Sequence, residues 1–325
     1  FSQETRVVNI DSLLMHLNAS QEGAKTVDAY TTQISKFFSD GLPPNKKALL
    51  YFINSTVNKA QELNDVAGLA EANYHLGRFY ISGNSSYSKA IPAFLESLSG
   101  FEKLKDSLGV SKCYMQLGLI GYTTQYFEDG IKNFKLSLKY YDYPISTYLM
   151  AITYTELEKY DEAKKNFLKA IGDFKKTNKT YNLNECYMYL GNLYERENKF
   201  DSAYYYLQLS IRNQKKLNNL KDLSRPYALI SGYYLKTEAL DSAEYYALEA
   251  LRVGHLSDDK LSAVIATKTL SQVYEEENEF EKAHHYLKEH YNLKNESLQG
   301  STKQKIAEMQ SMFEFKKRTE EIGRA

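Results

Sequence analysis

The residue types that most often do chemistry are sparse in this chain and poorly spaced for it. Six histidines occur, and the densest group is His284, His285 and His290. Zinc ligands on one helix are spaced three or four residues apart. His285 and His290 are five apart, and His284 and His285 point to different sides of a helix. We therefore expect solvated or packing histidines and no metal site.

Carboxylates and glycines give no catalytic pattern either. The acidic run Glu275–Glu277 has no histidine or basic partner close by in sequence, which favours a solvated face or a helix end. No glycine-rich phosphate loop follows a strand, and no His-Glu-x-x-His motif occurs. The sequence thus predicts no catalytic residues, no metal and no cofactor, and we expect a chain that is not an enzyme.

A self-similar segment that recurs about every 40 residues organises the chain. The clearest copies read Leu-Gly-x-x-Tyr, at Leu76–Tyr80 and Leu190–Tyr194. The first residues of the six copies lie at 76, 117, 150, 190, 230 and 270, so the steps are 41, 33, 40, 40 and 40 residues. A fixed period in this range indicates a solenoid of stacked helical hairpins.

After each copy, residues spaced four and then three apart form a second pattern, which we call the second-helix stripe. In repeat four, Ala203, Leu207 and Ser210 form one face of a second helix. Gly191, in the first helix, leaves room for this face to approach closely. The stripe recurs as Ala90, Phe94 and Ser97 in repeat one, Gly130, Phe134 and Ser137 in repeat two, Ala163, Phe167 and Ala170 in repeat three, Ala243, Ala247 and Ala250 in repeat five, and Ala283 and Leu287 in repeat six.

Turn residues and cysteines agree with this register. Asp161, Asp201 and Asp241 precede the second helices of their repeats and are expected to cap them. Cys113 and Cys186 occupy equivalent positions two repeats apart. Stacked helices lie about 10 Å apart, whereas a disulfide needs Cα atoms within about 7 Å. We expect two unlinked core thiols.

The order Leu-Gly-x-x-Tyr, then Ala, then Phe or Leu, then Ala resembles the tetratricopeptide repeat (TPR). The steps of 40 residues exceed the family's usual length of about 34, which implies extended second helices and linkers. The resemblance implies an all-α fold, a right-handed α-α superhelix of six to seven helical hairpins with terminal capping helices. It divides the chain into a capping helix and degenerate hairpin at 1–63, six repeats at 64–298 and a C-terminal helix at 299–325. That last helix either caps the array or begins a connector to a missing output region.

Charge and hydropathy limit the partners. The chain has 41 basic and 41 acidic residues, whereas a nucleic-acid binder is expected to carry a basic excess. No apolar run is long enough to span a membrane. The resemblance implies a protein or peptide partner, and the C-terminal helix could also pair two copies into a homodimer.

TPR arrays typically bind extended peptides or partner helices along a concave surface lined by the first helices. We call the first residue of each copy, at 76, 117, 150, 190, 230 and 270, the first anchor of its repeat. The inward positions lie five and two residues before the first anchor, and two and five residues after it. Here they are apolar and aromatic, with adaptable methionines and isolated positive charges. A tightly wound array could instead bury them against itself. The resemblance gives as candidate groove residues Tyr74, Arg78, Lys112, Met115, Leu119, Tyr122, Tyr148, Ile152, Met188, Asn192 and Arg225.

The period, the Tyr- and Lys-rich composition and the tail Lys305–Lys317 resemble the N-terminal sensor regions of TPR signalling proteins from Bacteroidetes-type bacteria. Those proteins carry a histidine kinase, cyclase or DNA-binding output. The resemblance implies a ligand-binding sensor in signal transduction, such as a two-component system, located in the periplasm. The alternatives are a stand-alone cytoplasmic TPR scaffold and a peptide-pheromone receptor resembling the repeat-bearing regulators of Firmicutes.

Overall fold

The computed structural model of the chain describes residue 10 and residues 24–40, 43, 45–84, 86–217, 220–257 and 259–295. Over these ranges the backbone is helical apart from short connections, and none of it is strand. A 3₁₀ helix spans Leu220–Leu223. The α-helices are α1 (Ala24–Asp40), α2 (Lys46–Glu62), α3 (Val66–Asn84), α4 (Tyr87–Leu104), α5 (Ser107–Thr123), α6 (Phe127–Tyr140), α7 (Pro144–Glu156), α8 (Tyr160–Lys176), α9 (Thr180–Arg196), α10 (Phe200–Lys216), α11 (Ser224–Lys236), α12 (Leu240–Ser257), α13 (Lys260–Glu276) and α14 (280–295).

The helices form two compact units. In the described residues, unit 1 contains α1–α6 and ends at Tyr143, and unit 2 contains α7–α14 and begins at Pro144. Consecutive helices pair as hairpins, and within each unit the second helix of a hairpin packs against the first helix of the next hairpin. The predicted all-α array of TPR-type hairpins is confirmed. The predicted C-terminal helix at 299–325, and the capping and dimer roles predicted for it, lie outside the described residues. The division of the chain into three parts stays a prediction.

The second-helix stripe forms the centre of the core in each unit. In unit 1, Phe94 and Phe134 are fully buried, and in unit 2 Phe167 and Leu207 are 1% exposed. Leu287 departs from this pattern because it is 40% exposed. It lies on α14, the last helix of the described ranges, where no further described repeat packs over it.

Glycines permit the close approach of the two helices in a hairpin. A Cβ on Gly191 would lie 2.8 Å from Leu207 Cγ, so the predicted role of Gly191 is confirmed. The tightest approach to a backbone atom is in repeat two, where a Cβ on Gly121 would lie 2.7 Å from the backbone nitrogen of Gly130. Backbone atoms cannot rotate away as a side chain can, so this approach of α5 to α6 requires glycine at 121.

The turns between helices repeat one backbone conformation. In the described ranges, eight non-glycine residues have positive φ. Five of them lie eight residues after the first anchor of their repeat: Gln125, Glu158, Asn198, Glu238 and Asn278. Each ends a first helix in the left-handed region, which asparagine tolerates better than residues with longer side chains.

Helix capping differs from the expectation. Asp161, Asp201 and Asp241 lie inside the first turns of α8, α10 and α12, and the residues before α8 and α10 make no side-chain capping bond. These carboxylates act through the positive end of the helix dipole instead. Within the six repeats, side-chain caps occur at first helices, where Asp106 accepts from the Leu108 and Gly109 amides at 3.0 Å.

The two cysteines are free and buried, as expected. Cys113 Sγ lies 3.3 Å from Ser97 Oγ. Burial raises the pKa of the Cys113 thiol to about 12. Burial also raises the pKa of the Cys186 thiol. Both groups are therefore neutral core residues at physiological pH.

Gly121→Ala is expected to destabilise the protein by about 1–3 kcal/mol, because the new methyl group meets the Gly130 backbone. The matched control is Gly172→Ala, also inside a helix, where an added Cβ meets nothing within 4 Å. That change should stabilise by about 0.5–1 kcal/mol through helix propensity. Urea denaturation followed by circular dichroism measures both. Equal effects of the two changes would contradict the close approach.

Glu158→Gly is expected to stabilise the protein by about 0.5–1 kcal/mol, because glycine adopts the left-handed region without a Cβ penalty. Glu158 is exposed and has a φ of 58°. Asn198→Gly, at the equivalent position, should gain less because asparagine already tolerates that conformation. Thermal melts compare the two. A larger gain at Asn198 than at Glu158 would refute the argument.

Candidate functional site

The first-helix face of unit 1 contains the predicted residues on α3 and α5. Tyr74 and Met115 are buried. Half-buried residues on this face are Arg78, Lys112, Leu119 and Tyr122. The accessible residues of the predicted set are therefore two cations, one leucine and one tyrosine, and Glu71 beside them is also partly exposed.

Aromatic rings hold Arg78 in place. Its Cζ lies 4.2 Å from the Phe38 ring centroid and 5.8 Å from that of Tyr74. Gln116 on α5 donates a hydrogen bond to the Tyr74 hydroxyl at 3.3 Å. Burial raises the pKa of Tyr74 to about 12, so its hydroxyl stays neutral. These contacts order the guanidinium as a cation–π partner of the two rings.

His75 belongs to the same cluster and was missed by the sequence analysis. Its ring stacks on Phe38 with centroids 5.7 Å apart. Burial, with the charges of Arg78 and Lys112, lowers the pKa of His75 to about 3. Its Nδ1 is buried without a hydrogen-bond partner, and Glu71 Oε2 lies 3.9 Å from Nε2. His75 is thus a neutral core residue. It directly follows Tyr74, which occupies one of the inward positions of repeat one.

The first-helix face of unit 2 contains the remaining predicted residues, on α7, α9 and α11. Tyr148, Ile152 and Met188 are buried, and Asn192 and Arg225 are half-buried. The unit therefore buries three of the five predicted contact residues against its own helices, and the groove assignment stays a prediction.

Hydrogen bonds link neighbouring first helices in unit 2. The Tyr148 hydroxyl on α7 donates to Glu185 Oε2 on α9 at 3.3 Å. Arg225 Nη1 on α11 donates to the Tyr189 hydroxyl on α9 at 3.1 Å. Glu185 and Arg225 therefore have fixed positions on adjacent helices.

An acidic cavity of about 280 Å³ opens between α9, α11 and the connections beside them. Burial raises the pKa of Glu185, and the nearby Arg225 charge opposes that rise. Burial also opposes ionisation of Asp259, but hydrogen bonds from Ser262 and Ser224 outweigh it and hold the pKa below its usual value. The cavity is lined by Tyr181, Glu185, Met188, Asp222, Ser224, Arg225, Ser257 and Asp259.

The charge balance of this acidic cavity favours a cationic ligand group. Three carboxylates, from Glu185, Asp222 and Asp259, face one guanidinium, from Arg225. Tyr181, 56% exposed, adds an aromatic face to the lining. A primary amine or guanidinium could pair with the carboxylates and pack on the ring.

The sequence identified part of this site. Met188 and Arg225 were predicted, and both line the cavity. Glu185 lies at an inward position of repeat four, so the period could have found it. Asp222 and Asp259 lie in the 3₁₀ helix and in the turn before α13, outside the repeating positions. The repeat period therefore could not predict that these two residues line the cavity.

The described ranges contain no group of three or more His, Cys, Asp or Glu side chains that could hold a metal ion. His290 Nδ1 lies 2.9 Å from the Val264 carbonyl oxygen, and His285 is exposed beside Glu289. Both histidines therefore have ordinary packing or surface roles. Along the same ranges, no helix combines the length and the apolar character needed to cross a membrane.

The sequence matches no family model, and no curated protein matches it. Solved structures share its fold. The apo form of RapI has a TM-score of 0.67 and 13% identity, over 84% of this chain and 99% of RapI. NprR in complex with its cognate peptide NprX has a TM-score of 0.60 and 15% identity, over 89% and 84% of the two chains.

A third structure is a signal transduction ATPase with numerous domains and a tetratricopeptide repeat sensor, from Pyrococcus horikoshii. Its TM-score is 0.65 and its identity 16%, over 89% of this chain and 44% of that protein. At these identities the likeness concerns the fold, and the resemblance to TPR-type helical repeat proteins is confirmed.

The predicted periplasmic location is wrong. The solved structures of Rap and NprR proteins that share this fold contradict it. The prediction failed because the repeat period and the composition of the tail report how the helices pack. Helices of this kind pack in the same way in the periplasm and in the cytoplasm.

His75 should make the protein sensitive to mild acid. The unfolded side chain titrates near 6.5, whereas the folded one has a pKa of about 3. Between these values the unfolded chain binds one more proton, so the free energy of unfolding falls as pH falls. The slope is at most about 1.4 kcal/mol per pH unit.

His75→Phe keeps a ring against Phe38 and should flatten the dependence of stability on pH between about 6.5 and 5. The control is His255→Phe, at an exposed position, which should leave the slope unchanged. Urea denaturation at a series of pH values measures it. An unchanged slope in the His75 variant would show that other groups cause the acid sensitivity.

Proposed function

We propose that this chain is a non-enzymatic, cytoplasmic peptide-binding protein of the TPR type that acts as a regulator. The observation that carries the proposal is the acidic cavity on the first-helix face of unit 2. It combines fixed charge, aromatic surface and a volume of about 280 Å³.

The peptide would place a basic group, a Lys or Arg side chain or its N-terminal amine, in the acidic cavity. Glu185 is the carboxylate best placed to receive it, since Tyr148 fixes its orientation through the 3.3 Å hydrogen bond. Asp259 already accepts from Ser224 Oγ at 2.8 Å and also caps α13. Asp259 would therefore attract the basic group of the peptide by its charge more than by a new hydrogen bond.

The backbone of an extended peptide would meet Asn192. This residue follows Met188 by one helical turn on α9 and is half-buried. A side-chain amide can donate to a peptide carbonyl and accept from a peptide N–H. Met188 can adapt to different side chains because its thioether is flexible. Together these residues favour an extended peptide over a folded partner.

The structural neighbours support a regulatory role. RapI and NprR share this fold, and NprR was solved with its cognate peptide. A peptide receptor fits these neighbours better than the sensor part of a membrane-bound signalling protein. We propose the cytoplasm as the location of this peptide-binding protein.

Selection from a phage-displayed library of random short peptides tests the function. We expect enrichment of peptides with a Lys or Arg, and binding that weakens with added salt. Glu185→Gln keeps the shape of the side chain and removes its charge, so affinity for the enriched peptides should fall about tenfold, or about 1.4 kcal/mol. Fluorescence polarisation measures it.

Glu162→Gln, at an exposed position on the second helix α8, is the charge-matched control and should bind like the parent. Asn192→Ala should weaken all enriched peptides whatever their charge. The proposal fails if no peptide is enriched. It also fails if acidic peptides are enriched, or if Glu185→Gln binds as tightly as Glu162→Gln.

A further inference from the structure

A second cavity, of about 320 Å³, lies in unit 1 between α4, α5 and α6. It shares no residue with the acidic cavity of unit 2. Its walls are mostly aliphatic, and three polar residues of α6 complete them. The lining residues are Ile91, Leu95, Leu98, Tyr114, Leu117, Ile120, Gly121, Asp129, Lys132, Asn133 and Leu136.

Repeats four to six contain a stacked pair of tyrosines. One ring comes from the first helix, four residues after the anchor, and the other from the second helix, three residues after the start of its stripe. The ring centroids are 5.4–5.6 Å apart and the planes are within 14° of parallel. The pairs are Tyr194 with Tyr206, Tyr234 with Tyr246, and Tyr274 with Tyr286.

Repeat two has neither ring. Gly121 occupies the first-helix position and Asn133 the second-helix position, and both line the cavity. Repeats one and three keep the first-helix tyrosine, as Tyr80 and Tyr154. Among the six repeats, repeat two is therefore the one in which both aromatic groups are absent from the sequence.

We propose that this cavity binds a small planar aromatic molecule of about the size of phenol or indole. A dry apolar cavity of about 150 Å³ holds benzene, so a cavity of about 320 Å³ can hold a two-ring molecule. The cavity is partly open to solvent, and because most of its wall is aliphatic, an aromatic ring bound there would bury apolar surface.

The polar side of the cavity specifies one hydrogen bond. Asn133 Nδ2 donates to the Asp129 backbone carbonyl at 3.0 Å. Because that bond engages the amide nitrogen, the group that Asn133 would offer a ligand is its side-chain oxygen, an acceptor. A phenol O–H or an indole N–H is a suitable donor. The Tyr114 ring, itself stacked on Tyr140 with centroids 5.8 Å apart, offers an aromatic wall.

Indole is the first probe, because the chain contains no tryptophan. Excitation beyond the tyrosine absorption band therefore reports the probe alone. Titration of protein into indole should shift the indole emission to shorter wavelength as the ring leaves water. Phenol should compete, and cyclohexanol, which is similar in size but not planar, should compete less well.

Asn133→Tyr restores one of the missing rings and should fill the cavity, weakening indole binding at least about tenfold, or about 1.4 kcal/mol. Asn166→Tyr places the same residue at the same repeat position in unit 2, and should leave binding unchanged. Circular dichroism establishes that both variants fold. If Asn133→Tyr does not fold, Leu136→Phe provides a second way to fill the cavity.

Indole emission that does not shift up to the solubility of the probe would overturn the proposal. So would equal binding by the parent and a folded cavity-filling variant, because the probe would then bind elsewhere. Tighter competition by cyclohexanol than by phenol would overturn the preference for a planar ligand. A loss of binding confined to the cavity-filling variants supports the site.

Discussion

The structure depends on the close contact between the two helices of each hairpin. Leu190 and Gly191 of α9 pack on the stripe Ala203, Leu207 and Ser210 of α10, and all five residues are buried. Small residues bring the helices together, and the large side chain fills the space that remains. Each hairpin can then bury its outer surface only against the next hairpin, which is why the repeats stack.

Polar contacts between repeats have a different role. Lys164 pairs with Glu197 at 3.1 Å, and Lys236 pairs with Glu195 at 2.9 Å. Partly exposed ion pairs contribute about 0–1 kcal/mol each, whereas one buried leucine contributes about 2–5 kcal/mol when it is truncated. The apolar stripe therefore supplies the stability. The polar contacts specify how one repeat is oriented on its neighbour.

Both proposed sites occur where a repeat departs from the common pattern. The acidic cavity forms where the 3₁₀ helix before α11 and the turn before α13 bring Asp222 and Asp259 towards Glu185. The apolar cavity forms where Gly121 and Asn133 replace two aromatic rings. In each case the core contact of the hairpin is kept. Asn133, Asp222 and Asp259 lie outside that contact, so they can differ from the common pattern while the fold is kept.

The sequence alone determined the helices and the pairing within each hairpin. Leu190, Gly191 and Leu207 could be assigned because their contacts depend on spacing along one or two adjacent helices. Only the tertiary structure decided that Tyr148 and Met188 are buried while Arg225 stays accessible, since that depends on the angle at which neighbouring repeats pack. It also decided that Asp222 and Asp259 join Glu185. Connecting segments carry no period, so their side chains acquire neighbours only when the helices on both sides are in place.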